Sequence, residues 1–413
     1  MIPLRLDEVA ALAAGRLTTA PGAEQITGVK VDSRRAEHGD LFVAVGGGVA
    51  FAEDALARGA AATLVPVDAF AAMAALGRAV RERSTAQVVG ITGSTGKTST
   101  KDILAALCTP AAVTVAAEAS YNNEVGVPLT LCRLGPETEV CILELAMRGF
   151  GQIAELCDIA RPGIGVVTNV GPAHLELVGS LEGVLRAKGE LVTALPSGGT
   201  AIVPEEFPVE REDIDVVRLR EQEPGIEEGR AVVGGVSFNF TSRHQAANAA
   251  AALAALDALR LPRPKHVDVE FSRWRGEELP LTGGGVLVND AYNANPISMR
   301  AALADLVERA GGQRRVAILG DMAELGPGAI AFHVEIGEEA AHAGVGALIA
   351  VGELARGYLD GAHGVPVTRW VPSATGAIAV AEEILEPGDC VLVKASRAVG
   401  LEIVAEALAA VRA

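Results

Sequence analysis

One stretch constrains this chain more than any other: Gln87-Val-Val-Gly-Ile-Thr-Gly93-Ser-Thr-Gly96-Lys97-Thr98-Ser99-Thr, an apolar run passing directly into a glycine-rich turn and a helical pattern. Glycine lets successive backbone N–H groups curl around a phosphate, and a helix N-terminus adds positive potential there. Gly93, Ser94, Thr95, Gly96, Lys97, Thr98 and Ser99 are therefore the expected nucleotide loop. Lys97 would reach the β and γ phosphates of ATP, and the Thr98 hydroxyl would hold Mg²⁺. Ile91 stands where the longer form of such loops has glycine, so the match is to the shorter G-x-x-G-K-[ST] form. A glycine turn with an incidental lysine is the bland alternative, and the strand before and helix after speak against it.

From about residue 85 almost to the end, short β-branched runs alternate with Ala-rich helical runs, which predicts parallel strands joined by crossover helices in an α/β fold. Expected strands are Gln87 to Thr92, Val140 to Leu145, Ile164 to Asn169, Val286 to Asp290, Arg315 to Gly320, Ala347 to Gly352 and Cys390 to Lys394. The segment from Gly198 to Phe240 lacks helical period and reads as hairpins appended to the middle sheet. A chain of 413 residues exceeds one comfortable core. A charged stretch at Arg81 to Thr85 and the proline pair in Leu261-Pro-Arg-Pro-Lys265 mark seams, giving three expected domains at 1–83, 84–261 and 262–413.

A formal charge of -17 repels a polyanionic backbone, so nucleic acid is not an expected partner. The five cysteines lack any C-x-x-C pair and read as buried thiols of a reducing cytosol. Asp7 and Glu8 interrupt the N-terminus where a signal peptide needs an apolar core, and no long uncharged apolar run follows. A cytoplasmic monomer that does not engage the membrane is the expectation.

Glu144 ends the apolar run Val140-Cys-Ile-Leu, and in a parallel sheet the carboxyl ends of strands line the ligand crevice. Such a carboxylate needs a metal or a partner; taken alone, a structural ion pair fits equally well. The run Ile164 to Asn169 leads into Val170-Gly-Pro-Ala-His174, placing an imidazole at the same sheet edge. Read singly, His174 is an ordinary packed histidine and Lys188, in Arg186-Ala-Lys188-Gly-Glu, an ordinary helical lysine.

Together with the loop, several further motifs give a resemblance to the Mur ligases of peptidoglycan synthesis. They are Tyr121-Asn-Asn-Glu-Val-Gly126, Thr168-Asn-Val-Gly-Pro-Ala-His174, Asn289-Asp290-Ala-Tyr-Asn293-Ala-Asn295-Pro, Leu319-Gly-Asp321-Met-Ala-Glu324 and Lys394-Ala-Ser-Arg397. The pattern is most similar to the branch that adds D-alanyl-D-alanine to UDP-N-acetylmuramoyl-tripeptide. The resemblance implies a small N-terminal α/β domain for the UDP-sugar acceptor, a central P-loop domain with a mostly parallel sheet, and a C-terminal Rossmann-like domain. It implies ATP and two Mg²⁺ ions, with Thr98 and Glu144 on one and His174 and a carbamylated Lys188 on the other. Asn248 matches the residue that contacts adenine, and Asp290, Asn293 and Asn295 match a segment facing the nucleotide. The implied reaction activates a carboxylate as an acyl phosphate and joins it to an amine or dipeptide.

The first unit departs from the pattern. Val31-Asp-Ser-Arg-Arg and Gly39-Asp-Leu-Phe are present, but Gly46-Gly-Gly-Val-Ala-Phe51-Ala-Glu53 stands where these ligases carry an Asp-Gly-His stretch bordering the uridine diphosphate. Gln245 stands in place of Asn, and Lys394-Ala-Ser-Arg397 in place of Lys-Gly-Ser-Arg. Two other readings follow: an amide ligase taking a different carboxylate in specialised biosynthesis or cofactor assembly, and a nucleotide-binding subunit without catalysis. Glu144, His174 and Lys188 beside Lys97 argue against the last, since a passive binder needs no second metal site.

Overall fold

The structure is a computed structural model, and it describes residues 1–220, 223–281 and 283–409. Its organising element is a six-stranded, wholly parallel sheet. The loop strand Gln87–Thr92 lies between Val140–Glu144 and Ile164–Val167. Thr114–Ala116 flanks the first neighbour, and Thr200–Pro204 then Asp215–Leu219 flank the second. Ile91 pairs with Glu144, and Thr92 with Val167, so the three central strands end level. The chain lays strands to one side of the loop strand and then crosses to the other. This reversal opens a crevice at the carboxyl ends, where such sheets take ligands.

Strand alternation decides what covers each face. Val89, Ile91 and Ile142 share a core with Ile103, Leu104 and Leu107 of the helix Lys97–Cys108 and with Ala249, Ala252 and Leu256 of the helix Arg243–Ala258. Val88, Cys141 and Leu143 face the opposite way and join a core that runs without a break into the first unit, through Met73, Leu76 and Val80 to Leu41 and Leu64. The helix Ala69–Arg83 makes that join. Its buried residues recur at helical spacing, Asp68 caps its start through the amides of Phe70 and Ala71, and Gly77 lets it approach Pro128. Burying Met73, Leu76 and Val80 contributes about 1.5–3 kcal/mol each, so the first unit is fastened by packing.

The first unit's four-stranded sheet runs Gly15–Thr19, Ala62–Pro66, Asp40–Val43, Gly28–Lys30. The last sheet, Glu277–Pro280, Val286–Asn289, Cys390–Lys394, Arg315–Gly320, Ala347–Val351 and Val367–Val371, is parallel except for its antiparallel first strand, with helices on both faces. The expected α/β class holds, and strands appear at all seven expected places, with Gln87–Thr92, Arg315–Gly320 and Cys390–Lys394 matching at both ends.

The reading of 198–240 as appended hairpins needs correction. Thr200–Pro204 and Asp215–Leu219 are parallel strands that extend the central sheet. Only Gly225–Glu227, Arg230–Val233 and Val236–Phe238 form antiparallel turns, in a separate four-stranded sheet closed by His266–Val267 beyond the proline pair. No helix links the first two strands, so the sequence offered no crossover to mark them as parallel.

Candidate active site

Two glycines shape the loop. Gly93 has φ +151° and Gly96 +77°, and a Cβ would meet Thr168 Oγ1 at 1.8 Å or Asn248 Oδ1 at 2.2 Å, respectively. Backbone conformation and packing thus both exclude a side chain. The loop is also gripped from the next strand. Thr168 Oγ1 donates to Thr95 O at 2.6 Å, Asn169 accepts from Thr95 N at 3.0 Å and donates to Thr95 Oγ1 at 2.9 Å, and Ser94 Oγ donates to Gly171 O at 3.0 Å. Lys97, first residue of the helix Lys97–Cys108, donates to Gly93 O at 2.8 Å and so lies folded over the turn; Ser99 is buried behind it.

Glu144 is 1% exposed and accepts from Thr98 Oγ1 at 2.7 Å and Asn122 Nδ2 at 2.9 Å. These are neutral donors, so the carboxylate keeps its charge for another partner. Two hard oxygen ligands with no competing side-chain cation bonded to them suit a small divalent ion such as Mg²⁺. Lys188, on the helix Leu181–Thr193, is 2% exposed. Burial first, then the charge of Lys97, push its ammonium well below the ordinary lysine range. Burial and Lys97 likewise push the His174 imidazole down, against the pull of Glu324, and Lys188 adds to the push. Burial lowers Lys97 itself, with Glu144 opposing and Arg275 assisting. Lys97 is thus coupled by charge to Glu144, His174 and Lys188, and His174 to Lys188, beside the glycine loop. Among the described residues, no group of three or more His, Cys, Asp and Glu side chains forms a ready metal site. A second ion there would need a ligand from another residue type.

The third unit reaches in at three points. Asn295 caps the helix Pro296–Ala310 and donates to Ser94 O at 3.2 Å. Arg275, stacked 4.0 Å over Tyr292, donates to Ser120 Oγ at 3.1 Å, and Ser120 Oγ lies 3.4 Å from Thr98 Oγ1. Glu324 Oε2 meets His174 Nδ1 at 2.5 Å. Asp290 and Asn293 converge elsewhere: Lys394, almost fully buried, donates to Asp290 Oδ2 at 2.5 Å and to Asn293 O at 2.9 Å. Asn248 packs against Gly96, and Gln245 accepts from its amide at 3.1 Å, so the Gln departure orients Asn248.

Asn122, Arg275 and Glu324 were not singled out as site residues by sequence reasoning. Asn122 and Glu324 lay inside recognised motifs, whereas nothing in the sequence around Arg275 gave a signal.

Two family profiles cover most of this scaffold. The Mur ligase middle domain matches residues 91–256, and the Mur ligase glutamate ligase domain matches residues 274–397. A Synechocystis protein named UDP-N-acetylmuramoyl-tripeptide--D-alanyl-D-alanine ligase is 34% identical over 94% of this chain and 92% of its own length. The chain belongs to the Mur ligase family. It is accordingly an ATP-dependent ligase that forms amide bonds. An Escherichia coli relative of the same name is 32% identical over 99% of both chains. Among solved structures, MurF from Acinetobacter baumannii superposes with a TM-score of 0.82 at 26% identity, covering 98% of both chains. MurF ligase from Thermotoga maritima, in complex with ADP, gives 0.78 at 25% identity over 92% of this chain and 96% of that one. These likenesses run through the first unit as well, beyond the two matched profiles.

Proposed function

We propose that this Mur ligase joins D-alanyl-D-alanine to the free carboxylate of UDP-N-acetylmuramoyl-tripeptide, using ATP. What supports the reading is the charge coupling of Lys97 to Glu144, His174 and Lys188 beside the glycine loop, in a chain aligned end to end with relatives of that name.

The carboxylate oxygen attacks the γ-phosphorus, the bond to the β-bridging oxygen breaks, and ADP leaves. The dipeptide amine then attacks the acyl carbon, phosphate leaves, and the amine gives up its proton. Lys97 and the loop amides balance negative charge on the transferring oxygens. Thr98 and Glu144 would hold one Mg²⁺, and His174 with Lys188 a second. Lys188 fits that role because burial disfavours its ammonium, and the neutral amine is the form that adds CO₂, giving a carbamate that is an anionic oxygen ligand. Bound Mg²⁺ supplies Lewis-acid polarisation of the phosphate oxygens. Arg275 and Asn295 bring the third unit over the loop, which keeps water from the acyl phosphate. A cleft lined by Lys30, Asp32, Arg35, Glu118, Tyr121 and Arg133 lies between the first and middle units; Arg35 and Arg133 share Glu118 there and would turn from it to the diphosphate of the acceptor. We assign the units to 1–83, 84–272 and 273–413, because His266–Val267 pairs with Val236–Phe238 and Val267 and Val269 sit in the middle unit's core. A reducing cytoplasm is consistent with five buried, unpaired thiols.

With ATP and Mg²⁺, phosphate release should require both the UDP-muramoyl tripeptide and D-Ala-D-Ala; absence of release with all components present rejects the reading. The missing Asp-Gly-His of the first unit favours a second reading, the same chemistry on another carboxylate. It predicts that the UDP-muramoyl tripeptide gives no thermal shift, and a clear stabilisation by that compound would eliminate it.

A further inference from the structure

Glu324 has no role in the chemistry above, yet it makes the shortest contact between the third unit and the pocket. It follows the strand Arg315–Gly320 in Asp321-Met-Ala-Glu324. Its φ is +62°, and that of His174 opposite is +56°. Left-handed backbone is unfavourable for residues other than glycine and persists where surroundings impose it. Here two such residues, on separate units, hold their side chains against each other at 2.5 Å. The main chain braces the same junction: Glu176 N donates to Glu324 O at 3.3 Å. Arg148 Nε, from the middle unit, lies 3.8 Å from Glu324 Oε1.

A neutral imidazole carries its proton on one nitrogen and a lone pair on the other. A carboxylate against Nδ1 keeps the proton there and turns the Nε2 lone pair free to serve as a ligand; an imidazole without that neighbour populates both tautomers. We infer that Glu324 is a positioning residue whose carboxylate fixes the tautomer and orientation of His174, so that docking of the third unit completes this corner of the pocket. The inference rests on the reading of His174 as a metal ligand. It separates Glu324 from a role in gripping the incoming amine, which would not run through His174.

The full chain, with ¹⁵N-labelled histidine and no nucleotide or metal, gives the first readout, His174→Ala identifying the resonances. In the wild type, Nδ1 of residue 174 should be protonated and Nε2 not; in Glu324→Ala the two tautomers should mix. An unchanged pattern in Glu324→Ala overturns the inference. Glu324→Gln, which conserves volume, is measured alongside in case the alanine variant does not fold, and should shift the same way by less. The second readout is a double-mutant cycle on kcat/KM for phosphate release. Glu324→Ala should cost roughly 10- to 100-fold in the wild-type background. In a His174→Ala background it should cost under about 3-fold, because coupled residues are not additive. Equal losses in both backgrounds, or a rise confined to the KM of the dipeptide, would show that Glu324 does not act through His174. The resonances need no substrate, so a chain that released no phosphate with the UDP-muramoyl tripeptide and D-Ala-D-Ala would defeat that substrate reading and leave the tautomer result standing.

Discussion

Two glycine-rich segments of this molecule behave in opposite ways. In the nucleotide loop, Gly93 and Gly96 have no room for a Cβ, and the side chains of Thr168, Asn169 and Asn295 bond to the turn from two different units. In the first unit, Gly46-Gly-Gly-Val-Ala-Phe51 forms a short 3₁₀ segment in which Gly46 needs glycine only for its φ of +57°, a Cβ on Gly47 meets nothing within 4 Å, and Val49 and Phe51 stand half exposed. The first segment matches the Mur ligase pattern and the second departs from it. Where every atom is pinned, chemistry sets the residue; where the chain lies open, the protein itself imposes little and the identity of the acceptor is free to do so.

The largest effect that would sharpen this contrast is Lys97→Ala. Removing the cation that balances the transferring phosphate should lower kcat by roughly 100- to 1000-fold, with the fold retained, as read by phosphate release and circular dichroism. Next comes Gly96→Ala against Gly47→Ala. The first should abolish stabilisation by ADP in a thermal-shift assay and cost about 1–3 kcal/mol of stability; the second should stay within about 0.5 kcal/mol of the parent. Equal behaviour of the two would break the comparison. Asn295→Ala removes a helix cap together with the bond to Ser94 O, and should cost about 1 kcal/mol in denaturant unfolding, with weaker ATP binding. The smallest effect belongs to Phe51→Ala: no measurable loss of stability, because its ring is more than half exposed.

How far the sequence could be read follows the same physical line. Strands built from β-branched runs and the loop between Thr92 and Lys97 were legible because their determinants are local: period, glycine and helix start. Lys188 and His174 needed the family resemblance, since a lysine on a helix and a histidine in a loop carry no local sign of the pocket they share. Glu324 meets His174 across 150 positions of sequence, and Arg275 reaches Ser120 across 155. Such contacts arise only once the third unit has docked on the middle one. The parallel pairing of Thr200–Pro204 with Ile164–Val167 was hidden for the same reason, being set by the sheet edge that is available rather than by the segment itself.

The central claim is that one pocket gathers a triphosphate and its cations on Thr98, Glu144, His174 and Lys188. A crystal structure with a non-hydrolysable ATP analogue and Mn²⁺ in place of Mg²⁺, recorded at the manganese absorption edge, tests it directly. The account predicts two anomalous peaks, one against Thr98 and Glu144 and one against His174 and a carbamate on Lys188, with the phosphates along Gly93 to Lys97. An analogue bound there without metal at those side chains, or bound elsewhere in the molecule, would contradict it.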